Sequence, residues 1–114
     1  MTVLIVDDHR NFRASVRRVL ESEGYRVVGE AADAASALSR ARELRPQLAL
    51  VDVYLPGIGG FEVASLLAAL DDAPTIILVS SHDRAELEPF VSRSGARGFL
   101  PKDEISRQAL EELV

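Results

Sequence analysis

The sequence predicts an α/β fold: a doubly wound, five-stranded parallel sheet in the order 2-1-3-4-5, with helices on both faces. Three observations carry this expectation. The runs Val3–Val6, Leu48–Val51 and Thr75–Val79 are almost continuously apolar, as strands buried on both faces must be. Strand-like and helix-like segments alternate five times along the chain, which favours a parallel sheet with crossover helices. Two further strand-like stretches, Tyr25–Glu30 and Gly98–Leu100, are weaker and belong at the edges.

Each element has a local reason. The Val3 strand ends in Asp7-Asp8. From Asn11 to Leu20, Phe12, Val16, Val19 and Leu20 recur at helical spacing, and Gly24 is a natural stop. Ala34–Leu44 is Ala- and Leu-rich, with Asp33 as N-cap and Arg45-Pro46 closing the helix. The Leu48 strand runs into Asp52 and the Pro56-Gly57 turn. Phe61–Leu70 forms the third helix. In the segment Asp83–Ser94, Leu87, Phe90 and Val91 keep helical spacing, but Pro89 is comfortable only in a first turn. A kink, or a short helix starting near Glu88, is therefore expected. A last helix runs from about Ser106 to Val114. No repeat, linker or low-complexity segment interrupts this single 114-residue domain.

Composition narrows the function classes. Hydrophobic residues make up 47% and charged residues 27%, a globular balance. The net charge of -5 argues against nucleic acid or an anionic membrane as a direct partner. There is no cysteine, so disulfides and thiolate metal sites are excluded. Neither a secretory signal nor a membrane-length apolar run is present, and cytoplasmic residence is expected.

Chemistry collects at the carboxyl ends of the strands, where open α/β sheets bind ligands. The first strand delivers Asp7 and Asp8, the third Asp52, the fourth Ser80 and the fifth Lys102. Each close carboxylate pair costs about 4 kcal/mol at an effective dielectric of about 20. Such a cluster needs a shared proton or a cation. Oxygen ligands without an imidazole or thiolate cluster suit Mg2+, which favours a phosphate as co-ligand. A carboxylate can become an acyl phosphate by in-line displacement, while a metal, Lys and hydroxyl stabilise the transferred oxygens.

Taken together, Val-Asp-Asp-His around Asp7-Asp8, Leu-Val-Asp-Val-Tyr-Leu-Pro-Gly around Asp52, Ser80, and Gly-Phe-Leu-Pro-Lys-Asp around Lys102 resemble the receiver domain of a two-component response regulator. The resemblance covers nearly the whole chain and is strongest to the LuxR/NarL-type subfamily. It implies a CheY-like, flavodoxin-like fold and a role for each position. Asp52 is the implied acceptor of a phosphoryl group from a sensor histidine kinase. Asp8 and Asp52, with the Tyr54 backbone carbonyl, are implied ligands of Mg2+ (or Mn2+), and Asp7 acts through a metal-bound water. Lys102 and Ser80 are implied contacts of the phosphoryl oxygens. Ser80 and Phe99 form the implied switch toward the surface of the fourth helix, fifth strand and fifth helix. Tyr54 and His82 flank the site and are expected to tune water access.

The resemblance also implies a C-terminal helix-turn-helix output domain outside this chain, transcriptional control, and a phosphorylation-linked homodimer. Catalysis would be confined to the domain's own phosphorylation and dephosphorylation. One departure stands out: many receivers have Lys-Pro where this chain has Lys102-Asp103, with Pro101 before the lysine. The Leu100-Pro101 bond is accordingly expected to be trans. His9 reads as a rim residue. Arg13, Arg17 and Arg18 read as a solvated helix face, with kinase docking as the sharper alternative. An Asp-nucleophile hydrolase of the haloacid dehalogenase type would want an Asp where Tyr54 stands. A flavodoxin-type cofactor domain would want a Ser/Thr/Gly-rich loop where Asp-Asp-His-Arg stands.

Overall fold

The computed structural model of the chain describes residues 1–81 and 84–114, with the side chains of residues 84–86 left aside. Five strands alternate with five helices: β1 (Thr2–Val6), α1 (Arg10–Ser22), β2 (Arg26–Ala31), α2 (Ala34–Leu44), β3 (Leu48–Asp52), α3 (Gly59–Ala68), β4 (Thr75–Ser80), α4 (Arg84–Arg93), β5 (Gly98–Pro101) and α5 (Arg107–Leu113). All strand pairs are parallel, in the order β2-β1-β3-β4-β5. The reversal between β1 and β3 is the predicted switch point, and the weaker strands are the two edges.

Side-chain alternation along the strands divides the interior into two cores. Val3 and Ile5 of β1, Leu48 and Leu50 of β3, and Ile77 and Val79 of β4 pack with Val16 and Leu20 of α1 and Leu110 of α5. Leu4 and Val6, Ala49 and Val51, Ile76 and Leu78, and Phe99 pack under α2, α3 and α4. Central strands buried on both faces cannot carry polar residues along their length. Polar residues are therefore confined to the strand tips.

Helix boundaries follow local chemistry. Ser36 N donates to the Asp33 carboxylate at 2.8 Å, the expected N-cap of α2. That helix ends at Arg45, which adopts a left-handed conformation (φ 48°) immediately before Pro46. Gly24 (φ 94°) stops α1 as expected, although α1 extends two residues past Leu20. Ser106 caps α5 by accepting from Ala109 N at 3.1 Å. All peptide bonds among the described residues are trans, including Leu100-Pro101.

Two expectations need correction. Helix α3 starts at Gly59 rather than Phe61, because Gly60 N donates to Val53 O at 2.8 Å and draws the turn onto the end of β3. Of the two alternatives for the segment before Gly95, the short helix starting near Glu88 is not found: α4 starts at Arg84, and Pro89 lies inside it. Proline lacks the amide that would bond back along the helix. The buried side chain of Leu87 nevertheless anchors this segment to the core. A 3-10 turn over Lys102–Glu104, which the sequence did not signal, follows β5.

Candidate functional site

The strand tips bring four of the expected charged residues into one pocket. Asp52 is the last residue of β3 and shares a face with Leu48 and Leu50. Its register partner on β4 is Val79, which places Ser80 one residue further along the neighbouring strand. Asp7 extends the β1–β2 pairing by one step, donating its amide to Ala31 O at 2.9 Å. Asp7 and Ser80 are fully buried and Asp52 is 2% exposed, whereas the Asp8 side chain is about one-third exposed. Asp7, Asp8, His9 and Asp52 each offer a ligand atom, and these atoms all lie within 4.8 Å of one another.

Lys102 crosses to this cluster from the turn after β5. Its ammonium Nζ lies 2.6 Å from Asp7 Oδ2 and 3.5 Å from Asp52 Oδ2. The Phe12 ring sits beneath it, with Nζ 4.3 Å from the centroid. Asp52 Oδ1 accepts from Tyr54 N at 3.2 Å. Burial raises the Asp52 carboxyl above its ordinary range; the Tyr54 amide opposes this, the Asp7 charge adds to it, and Lys102 opposes it. Asp7 Oδ1 accepts from His9 N at 2.7 Å, and His9 Nδ1 stands 3.1 Å from Asp7 Oδ1 and 3.2 Å from Asp8 Oδ1. His9 is the N-cap residue of α1 but makes no side-chain cap. The acidic pair therefore does not serve as a helix cap.

The donor set fits a hard divalent cation. Three carboxylates face one ammonium, and Asp7 Oδ2, although wholly buried, accepts no aligned hydrogen bond. Its company is the ionic contact with Lys102. The partly exposed carboxylate of Asp8 leaves a side open to water, as Mg2+ coordination prefers.

The structure places the remaining expected residues less closely. Ser80 lies in register with Pro101, and Phe99 in register with Leu78. Ser80 and Phe99 thus occupy diagonal positions on one face of the sheet. Phe99 is 2% exposed, so its ring already lies in the core. The Tyr54 side chain is half exposed at the rim. His82 lies outside the described residues.

Arg13 departs from expectation. It is not part of a solvated face: its side chain is 15% exposed, its Nε donates to Glu30 Oε1 at 2.9 Å, and its Nη1 donates to Asp7 O at 2.5 Å. Arg17 Nε approaches the other oxygen of Glu30 at 3.0 Å. Glu30 is the penultimate residue of β2 and Arg13 lies in the first turn of α1, so the contact forms only once β2 pairs with β1.

Residues 3–114 match the response regulator receiver domain family. The chain belongs to that family. It is 38% identical over 103 residues to the response regulator UvrY of Escherichia coli, covering 90% of this chain and 47% of that protein. It is 38% identical over 117 residues to the response regulator GacA of Pseudomonas aeruginosa, covering 98% of this chain and 51% of that protein. The chain thus spans about half the length of these curated relatives. A two-component response regulator of the LuxR family from Aurantimonas superposes with a TM-score of 0.88 at 34% identity, over 97% of this chain and 82% of that one. The receiver is therefore of LuxR/NarL type with the CheY-like fold. Among its described residues, no helix is long and apolar enough to cross a membrane.

Proposed function

We propose that this receiver takes a phosphoryl group from the phosphohistidine of a sensor histidine kinase onto Asp52. An Asp52 carboxylate oxygen attacks phosphorus; the O–P bond forms as the P–N bond breaks, and the electron pair leaves on the imidazole nitrogen. Lys102, already between Asp7 and Asp52, would swing one donor to the phosphoryl oxygens, and the Ser80 hydroxyl would donate to another. Asp8 and Asp52 would hold Mg2+ (or Mn2+) together with the Tyr54 carbonyl, with Asp7 acting through a bound water. That ion would offset negative charge on the phosphoryl oxygens. The single observation that carries this reading is the Lys102 ammonium lying against both Asp7 and Asp52 in a pocket formed by separate strand tips.

Phosphorylation would pull on Ser80 and be felt at Phe99 and the α4–β5–α5 surface. Because the Phe99 ring is already buried, the readout would lie in how α4 and β5 settle around it. Tyr54 and His82 would govern water access and hence the lifetime of the acyl phosphate. The domain, residues 1–114, would act as a switch that catalyses only its own phosphorylation and dephosphorylation. It would control a C-terminal helix-turn-helix output domain in the cytoplasm, with a phosphorylation-linked homodimer as the active form. It would contact neither nucleic acid nor membrane itself.

Incubation with Mg2+ and acetyl phosphate tests the reading. A base-labile mass gain of one phosphoryl group is expected in the wild type and not in Asp52→Asn. Absence of an adduct in the wild type overturns it.

A further inference from the structure

We propose that Arg13 is a positioning residue that fixes the backbone of the Asp7–Asp8–His9 loop and so sets the spacing of the two leading carboxylates of the cation pocket. The inference rests on the cation-site reading given above.

The loop leaves the sheet after the Asp7 amide, which still donates to Ala31 O, and among the described residues no backbone donor pairs with the Asp7 carbonyl. Its partner is the guanidinium of Arg13, through Nη1 at 2.5 Å. The same guanidinium is held from the other side by Glu30, through Nε at 2.9 Å. Glu30 belongs to β2 and is in register with Ile5 of β1, so the clamp is built on the rigid sheet. The geometry uses two separate N–H donors of one planar group to bridge β2 and the loop. A lysine ammonium on a flexible stem does not reproduce such a fork. With its side chain 15% exposed, Arg13 is shielded from water that would otherwise compete for the carbonyl. Arg17 supplies an internal comparison: it pairs with the same Glu30, yet among the described residues no hydrogen bond or ion pair joins it to the acidic loop.

Charge and position make opposite forecasts. Arg13 is a cation beside an anionic pocket, so removing its charge alone would tighten Mg2+ binding. Losing a backbone clamp would loosen it, because partners behind a metal's ligands typically contribute about tenfold or more in affinity. The sign of the change therefore distinguishes a positioning residue from a neighbouring charge.

The test measures Mg2+ affinity by calorimetry on the whole chain, together with hydrogen exchange at the His9 amide, which is bonded to Asp7 Oδ1. Arg13→Met and Arg13→Lys are each expected to weaken Mg2+ binding about tenfold and to speed His9 exchange, while Arg17→Met keeps Mg2+ affinity within about twofold of the wild type. Arg13→Lys retains the stem and the charge, so it reports even where Arg13→Met does not fold. Unchanged or tighter Mg2+ binding in the Arg13 variants overturns the proposal, as does an equal loss in Arg17→Met. Should the wild type bind no Mg2+, the cation-site reading fails; unchanged His9 exchange in Arg13→Lys would then separately show that Arg13 does not hold the loop.

Discussion

The two ends of one sheet are built on opposite terms. At the amino-terminal edge, loose ends are closed by neutral groups. Thr2 N donates to Gln47 Oε1 at 2.9 Å, Gln47 N donates to Thr2 Oγ1 at 2.9 Å, and Thr75 N donates to Gln47 O at 2.9 Å. At the carboxyl-terminal edge, two buried carboxylates and a third beside them face a single ammonium. A buried charge that loses its partner is far more costly than an exposed hydrogen bond that reverts to water. The difference teaches that the apolar strands between the two ends provide stability enough for one edge to hold charges in tension. The neutral edge belongs to folding, the charged edge to the proposed chemistry.

The largest break in this contrast is Lys102→Met. It leaves Asp7 and Asp52 buried without their shared cation and is expected to cost about 3 kcal/mol in urea unfolding without Mg2+. Saturating Mg2+ should recover much of that loss, since a cation would stand in for the ammonium. A loss indifferent to Mg2+ would mean that Lys102 matters only as packing.

Next in size is Gly60→Ala. An added Cβ would lie 2.0 Å from Asp52 O and 2.6 Å from Val53 Cα, both backbone atoms. The β3–α3 turn must shift, at about 2 kcal/mol. Because the strain falls on the residue bearing the proposed acceptor, phosphorylation by acetyl phosphate should slow as well.

Asp52→Asn sharpens the comparison in the opposite direction. Burial raises the Asp52 carboxyl in the folded chain, so the folded state binds more protons than the unfolded one from the ordinary value of 3.8 up to the raised value. Stability from the protonated carboxyl is full below the ordinary value and is lost as pH rises through the raised one. At neutral pH without Mg2+, Asp52→Asn should therefore raise the melting midpoint. It should also flatten the pH dependence just above the ordinary carboxylate range. A lower midpoint would place the charged edge on the stabilising side.

The smallest effect belongs to the neutral edge. Gln47→Ala removes two side-chain contacts from an exposed residue and should cost about 1 kcal/mol. The rate of phosphorylation should not change, because among the described residues no hydrogen bond or ion pair joins Gln47 to the pocket. A slowed rate would show that the two ends are coupled.

Legibility in the sequence followed the range of the physics. Continuous apolar runs marked the central strands because burial on both faces leaves no other pattern, and strand order then fixed which tips could meet. Asp33 and Gly24 were legible because capping acts within a few residues. At helix α4 the local preference of proline leaves two alternatives, a kink or a later start, and only the burial of Leu87 in the folded core decides against the later start. Arg13 was missed because its partners, Glu30 and the Asp7 carbonyl, become neighbours only when β2 pairs with β1. Phe12 read as one more apolar helix position; only the turn after β5 brings Lys102 over its ring.

The measurement closest to the central claim is chemical location of the phosphoryl group. After acetyl phosphate treatment, borohydride reduction converts an aspartyl phosphate to an alcohol that peptide sequencing by mass spectrometry can place. Reduction confined to position 52, and dependent on Mg2+, is the outcome expected from this pocket. Reduction at Asp7 or Asp8 instead, or at no aspartate at all, would contradict it.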